Sequence, residues 1–106
     1  MASSNIEQIK EIPILILGFN RLEIFKECIK RLKSNNFNNL WVALDGPREG
    51  LEDDQNKNKK LRAFCKYNNI QKNKTLFSKN NNGCRIGVMK GISWFFRNNS
   101  KGIIIE

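Results

Sequence analysis

The chain has 106 residues, 40% of them hydrophobic, which suits one small domain with a thin core rather than a disordered segment. Histidine is absent, so Ser-His and Cys-His nucleophile pairs and His-ligated metals are excluded. The formal net charge is +9, but no base-reading motif accompanies it, so we expect a solvated basic surface and no specific nucleic-acid partner.

The first elements are a leader, a buried strand and a helix. Residues 1–10 are predicted to be a leader, and residues 11–106 one α/β domain. The nearly continuous apolar run 12–19 is typical of a strand buried on both faces of a parallel sheet. Asn20 is the predicted N-cap of the following helix, with Glu23 as its capping-box partner, and the helix continues to Lys33.

Three further strands alternate with two helices. The predicted strands cover residues 40–45, 74–78 and 102–106. The acidic residues of segment 49–54 are expected to complement the dipole of a helix that ends near Asn68. In the last helix, apolar spacing places one stripe at Ile86, Met89, Ile92, Ser93 and Phe96, and we also predict Trp94, Phe95 and Phe96 to be core residues.

The βαβαβαβ order predicts a mostly parallel four-stranded sheet with strand order 3-2-1-4, half of a doubly wound fold. Ligands bind such sheets beyond the carboxyl ends of the strands, at the switch point between strands one and four. Asn20, Arg21 and Glu106 are expected to flank this crevice, and Asp45 to lie on the neighbouring strand end.

Each candidate site residue has two readings. Arg21 suits a phosphate, although it can equally be a solvated side chain. Asp45 can accept hydrogen bonds from a base or sugar, or simply begin a turn. The segment 80–87, Asn-Asn-Asn-Gly-Cys-Arg-Ile-Gly, can hold a diphosphate at a helix start, or be an ordinary loop. Glu106 can face a cation or a ribose, but one carboxylate is a poor metal site.

These pieces together resemble the N-terminal, nucleotide-sugar-binding half of GT-A fold glycosyltransferases of the family-2 and N-acetylglucosaminyltransferase I types. The resemblance covers residues 11–106. It rests on strand 12–19 followed by Asn20-Arg21, on the strand ending in Asp45-Gly46, on the loop Asn82-Gly83-Cys84-Arg85, and on the strand 102–106.

The resemblance implies a donor site for a nucleotide-diphosphate sugar, with a UDP-sugar favoured. Asn20 and Arg21 would border the nucleotide, Asp45 would contact the base, and Asn82, Gly83 and Arg85 would lie beside the diphosphate and sugar. Glu106 would align with the first residue of the acidic metal motif, next to a Mn²⁺ or Mg²⁺ ion or the ribose. The full enzyme would transfer the sugar to an acceptor hydroxyl in polysaccharide assembly.

The chain departs from that family where the acidic motif should continue. The metal-binding aspartate, the acceptor-binding half and the catalytic base would lie beyond residue 106, so we assign no catalytic residue and expect no transfer by this chain alone. The alternatives are a non-catalytic nucleotide-binding module and a truncated gene product. A nucleotidyltransferase and a dinucleotide-binding oxidoreductase are disfavoured, because the loop after strand one lacks their glycine-rich motifs.

The location of the protein follows from what its sequence lacks. No apolar run approaches the ~20 residues that span a bilayer, and the polar start has no signal-peptide core. Cys28, Cys65 and Cys84 have no CxxC spacing and suggest a reducing compartment. We therefore expect a cytoplasmic protein, with a weak secondary attraction of its basic surface to the inner face of the membrane.

Overall fold

The computed structural model describes residues 10–106, so the predicted leader lies outside the described residues except for Lys10. A four-stranded, all-parallel sheet is flanked by three α-helices. The strands are β1 (Ile14–Gly18), β2 (Leu40–Leu44), β3 (Thr75–Phe77) and β4 (Ile103–Ile105), and the helices are α1 (Leu22–Ser34), α2 (Glu52–Tyr67) and α3 (Cys84–Asn98). The strand order β3-β2-β1-β4 confirms the predicted α/β fold, half of a Rossmann-like sheet.

The two central strands are buried on both faces. Ile14 pairs with Leu40 and Ile16 with Val42, and this row faces α1 and α2. The alternate residues, beginning with Leu15, face α3. Because side chains alternate along a strand, a central parallel strand must be apolar at every position, which is what the continuous run predicted.

Helices α1 and α2 cover one face of the sheet with a shared apolar layer. Its buried members include Phe25, Ile29, Leu61 and Cys65. Both helices end in the same way: an asparagine in the left-handed region follows the last turn, and the next apolar residue folds back onto the core. These pairs are Asn36 with Phe37, and Asn69 with Ile70.

Helix α3 covers the other face and lies close to it. A Cβ atom on Gly91 would come within 3.0 Å of both Ala43 and Leu17, so the glycine allows the helix backbone to approach the sheet. Phe95 is fully buried and meets the Trp41 ring edge-on, with the ring centroids 5.9 Å apart. Within residues 10–106, no helix is long and apolar enough to cross a membrane.

Two sequence predictions about the helices were wrong. Asn20 does not cap α1: the N-cap position is Arg21, no side chain caps the helix, and the Asn20 amide donates to Asp54. The core prediction also failed for Phe96, which is 43% exposed, and its stripe partners Ile86 and Met89 are exposed as well. The helix is apolar on more than one side, so spacing alone did not identify the side that packs on the sheet.

Adjacent phenylalanines allow a direct test of this orientation. Phe95→Ala should lower the free energy of unfolding by about 3–5 kcal/mol, because it empties a fully buried site. Phe96→Ala removes an exposed ring that meets Phe95 edge-on, and should cost about 1 kcal/mol or less. Urea unfolding followed by circular dichroism measures both stabilities. Equal losses of stability in the two variants would contradict an orientation of α3 in which Phe95 faces the sheet and Phe96 faces outward.

Candidate functional site

Polar side chains from several segments lie together at the carboxyl edge of the sheet. Because all four strands are parallel, the segments that follow them emerge at the same edge. These segments are residues 19–21 after β1, residues 45–51 after β2, residues 78–83 after β3, and Glu106 after β4. Contacts within and between them form two linked clusters.

The first cluster surrounds Asp45, which directly follows β2 and is half-buried. Its Oδ1 accepts hydrogen bonds from the backbone N–H groups of Gly46 and Asn82, each at 2.9 Å, and from the Asn82 side-chain amide at 3.3 Å. Its Oδ2 accepts one long hydrogen bond, 3.3 Å, from the amide of Asn81. One oxygen therefore fixes the loop 78–83, while the other keeps accepting capacity.

Two glycines let the chain close around this carboxylate. A Cβ atom on Gly46 would lie 2.5–2.9 Å from the backbone of Asn80, so only glycine lets the two loops touch. A Cβ atom on Gly87 would lie 3.2 Å from the Asp45 carboxylate, which places the first turns of α3 directly against it. The aspartate is thus enclosed by the end of β2, the loop 78–83 and the start of α3.

The second cluster centres on Asp54, whose side chain is only 3% exposed. Arg48 binds it through two guanidinium nitrogens, with Nε at 2.6 Å from Oδ2 and Nη2 at 3.0 Å from Oδ1. The Arg48 backbone N–H and the Asn20 amide each donate at 3.3 Å. The Arg48 guanidinium also lies 5.6 Å from the centroid of the Phe19 ring. This cluster joins the segment after β1 to the segment after β2.

The charge of Asp54 is strongly stabilised in the folded state. Hydrogen bonding to the Arg48 guanidinium is the main cause, and the Asn20 amide and the Arg48 backbone add to it. Together they hold the pKa of Asp54 far below its usual range, although burial alone would raise it. Asp54 is therefore an ionised structural group at any physiological pH.

Helix α2 connects the two clusters. The amide of Asn58 donates to the backbone carbonyl of Asp45 at 3.0 Å, one turn along from Asp54. Asp54 and Asn58 lie on the same helix face as Leu61 and Cys65, and all four are buried. The sequence spacing of these four residues (four, three and four positions apart) is typical of one buried helix face. The acidic segment was nevertheless interpreted only as a complement to the helix dipole. Asp54 does lie in the acidic first turn of α2, as predicted, but its burial and its ion pair with Arg48 were not foreseen.

The predicted site residues are distributed unevenly over this edge. Asn82 and Gly83 belong to the loop held by Asp45, whereas Asn20 belongs to the Asp54 cluster. Arg21, Arg85 and Glu106 are exposed. Sequence reasoning missed Arg48 and Asn58, and it gave Asp54 no role at this edge. Asn81 and Gly87 belong to the segment 80–87 that was singled out, but their contacts with Asp45 were not predicted. The ligand roles of the seven predicted residues stay predictions.

Neither metal chemistry nor similarity adds a further assignment. Over residues 10–106, no three cysteine or acidic side chains come close enough together to hold a metal ion. Comparison with protein-family models, with curated proteins and with solved structures gave no match to this chain.

Gly46→Ala tests the close contact between the two loops. The added methyl group would overlap the Asn80 backbone, so it should displace the loop 78–83 and destabilise the domain by about 1–3 kcal/mol. Urea unfolding measures the loss, and amide exchange at Asn82 should speed up. Gly50→Ala is a control for glycine replacement without a clash, because a Cβ there meets nothing within 4 Å, but its φ of 77° also strains an alanine by about 1–2 kcal/mol. Amide exchange at Asn82 therefore separates the two variants: unchanged exchange in the Gly46 variant, or equally faster exchange in both, would contradict the described contact.

Arg48→Met tests the Asp54 cluster through pH. The folded-state pKa of Asp54 lies below the unfolded value of about 3.9, so the stability from this pair is fully present above about pH 5 and is lost as pH falls. The variant should be clearly less stable than the parent at about pH 7, and this difference should narrow towards about pH 3.

Urea unfolding across this pH range provides the measurement. The matched control is Lys57→Met, which removes an exposed pair with Asp53 on the same helix and should cost less than about 1 kcal/mol. A stability difference for Arg48→Met that does not change with pH would show that the loss comes from the Phe19 contact instead.

Proposed function

We propose that this domain binds the nucleotide-diphosphate-sugar donor of a glycosyltransferase, which transfers the sugar to an acceptor hydroxyl. The observation that carries the proposal is the state of Asp45 at the carboxyl edge of a parallel sheet. Its two carboxylate oxygens differ in their hydrogen bonds: Oδ1 accepts from the backbone of the loop 78–83 and of Gly46, whereas Oδ2 accepts only one long hydrogen bond. A carboxylate oxygen so fixed is suited to accept a hydrogen bond from a ligand.

The imide N–H of uracil is a donor of the kind that Oδ2 would accept, and the resemblance to GT-A fold glycosyltransferases is what favours a UDP-sugar over a purine nucleotide. The position of Oδ2 is fixed before binding, because the backbone donors on Oδ1 and the amide of Asn58 on the Asp45 carbonyl hold the residue from two sides. A preorganised acceptor loses little entropy on binding.

The start of α3 offers groups for the donor diphosphate. Gly83 is the N-cap residue, with a positive φ of 83°, and the first turn contains no acidic residue. Backbone N–H groups at a helix start and the positive end of its dipole favour anions. Arg85 in this turn is exposed and can turn toward a phosphate, and Arg21 after β1 would approach from the nucleotide side.

A divalent cation, Mn²⁺ or Mg²⁺, would belong to the complete enzyme and would neutralise the diphosphate leaving group. Glu106 is the residue of this chain proposed to lie beside that ion or the ribose. One carboxylate is too few for a magnesium site, so the diphosphate oxygens and residues other than those described here would complete the coordination.

Asp45→Asn is the sharpest test of the donor site. The asparagine oxygen can still hold the loop, whereas its amide in place of Oδ2 cannot accept the uracil N–H. Loss of a hydrogen bond to a charged group costs about 1.5–3 kcal/mol, so UDP should bind roughly 10- to 100-fold more weakly, as measured by calorimetry on the whole chain. ADP should bind the parent more weakly than UDP does.

The matched control is Asp53→Asn, which removes an exposed carboxylate on α2 and should leave UDP binding unchanged. Unfolding by urea checks that the Asp45 variant keeps its fold. Equal UDP affinity in parent and Asp45 variant would refute the assigned role of Asp45. Equal affinity of the parent for UDP and ADP would refute the preference for uracil.

A further inference from the structure

We propose that the outward face of α3 docks this domain onto an anionic lipid surface. The face consists of Arg85, Ile86, Met89, Lys90, Ser93, Phe96 and Arg97, all of which are exposed. At about 100° per residue, these seven positions cover roughly 140° of the helix circumference, opposite the side that packs on the sheet. This inference does not depend on nucleotide binding.

The centre of the face is apolar apart from Ser93. Ile86 is 52% exposed, Met89 59% and Phe96 43%. With Leu76 of β3, the side chains of Ile86 and Met89 also line a shallow open hollow beside the helix. Clustered apolar side chains on the surface of a folded domain mark an interaction site more often than isolated ones do.

The borders of the face are basic. Arg85 lies on one side of the apolar strip, and Lys90 and Arg97 lie on the other. The helix, Cys84–Asn98, contains no acidic residue. Long basic side chains can place their aliphatic stems along an apolar surface and their charges in the headgroup region, which is the pattern of helices that lie in the membrane interface.

The other two helices have a different outward side. Helix α1 exposes Glu23, Glu27, Lys30 and Arg31, and α2 exposes Glu52, Asp53 and several lysines. Charges of both signs alternate there, as on an ordinary solvated surface. Among the three helices described between residues 22 and 98, the apolar and purely basic face is therefore particular to α3.

The charge of the face selects the occupant. Two copies of this chain packed through α3 would bring the basic borders of both copies together, which like charges disfavour. An anionic bilayer instead meets both needs of the face along its whole length, since it takes up the apolar strip and attracts the basic borders. Each Lys or Arg near such a surface strengthens partitioning by about fivefold.

The test uses flotation of the whole chain with phosphatidylcholine vesicles that contain or lack phosphatidylserine. We expect binding to the phosphatidylserine vesicles only. The double variant Met89→Gln/Phe96→Gln should bind about tenfold more weakly or worse, because its apolar strip is lost. The matched control is Ile24→Gln/Tyr67→Gln, which removes exposed apolar side chains from α1 and α2 and should bind as the parent does.

Charge is tested in the same assay. Arg97→Gln should weaken binding by about fivefold, whereas Lys30→Gln on α1 should have little effect. Circular dichroism verifies that each variant is folded. Equal effects of the α3 variants and their controls would show attraction by the overall net charge and overturn the proposal.

Two further results would also overturn it. One is failure of the parent to bind phosphatidylserine vesicles. The other is self-association in sedimentation experiments that the Met89→Gln/Phe96→Gln variant abolishes while vesicle binding persists, which would make the face a contact between copies of the chain.

Discussion

Burial of β1 and β2 on both faces is the constraint on which the rest of the structure depends. Leu15 and Val42 are fully buried on opposite sides of the sheet, and no position between the ends of these strands can hold a polar side chain without a partner. The chain must therefore carry its polar groups to the strand ends. Because the strands are parallel, the carboxyl ends coincide, and the edge that receives Asp45 is a direct consequence of how the core is made.

That edge combines a structural function with an open one. Asp45 holds the loop after β3 through Oδ1, and Asn58 holds the Asp45 backbone from α2. Asp54 then connects the segments after β1 and β2 without using Asp45, because its carboxylate binds both Asn20 and Arg48. Two clusters, linked through Asn58 on α2, thus fix the geometry around Oδ2 of Asp45, which retains accepting capacity. Such division would let the proposed donor bind without breaking the contacts that order the loops.

The sheet could be predicted from the sequence because the information is local. The apolar run 12–19 and the apolar strand before Asp45 are each sufficient to predict that these segments are buried. Because the strands alternate with helices, few arrangements of a parallel sheet are possible. The roles of Asn20 and Asp54 could not be predicted in that way. Asn20 follows the rule for a helix cap, but its amide instead donates a hydrogen bond to Asp54, 34 residues further along the chain. Only the packing of α2 against the sheet brings the two residues together, and tertiary contacts of this kind override local preferences.

Helix α3 shows why the same reasoning can choose the wrong side of a helix. Its sheet-facing side approaches the strands closely through Gly87 and Gly91, so small residues occupy positions where apolar side chains are expected. Ile86, Met89 and Phe96 carry the strong periodic signal, and they face outward. Close packing on the sheet therefore does not need these three side chains. Their arrangement between basic residues is better understood as a second contact surface than as part of the core. A helix that is apolar on two sides can bury each side against a different apolar partner.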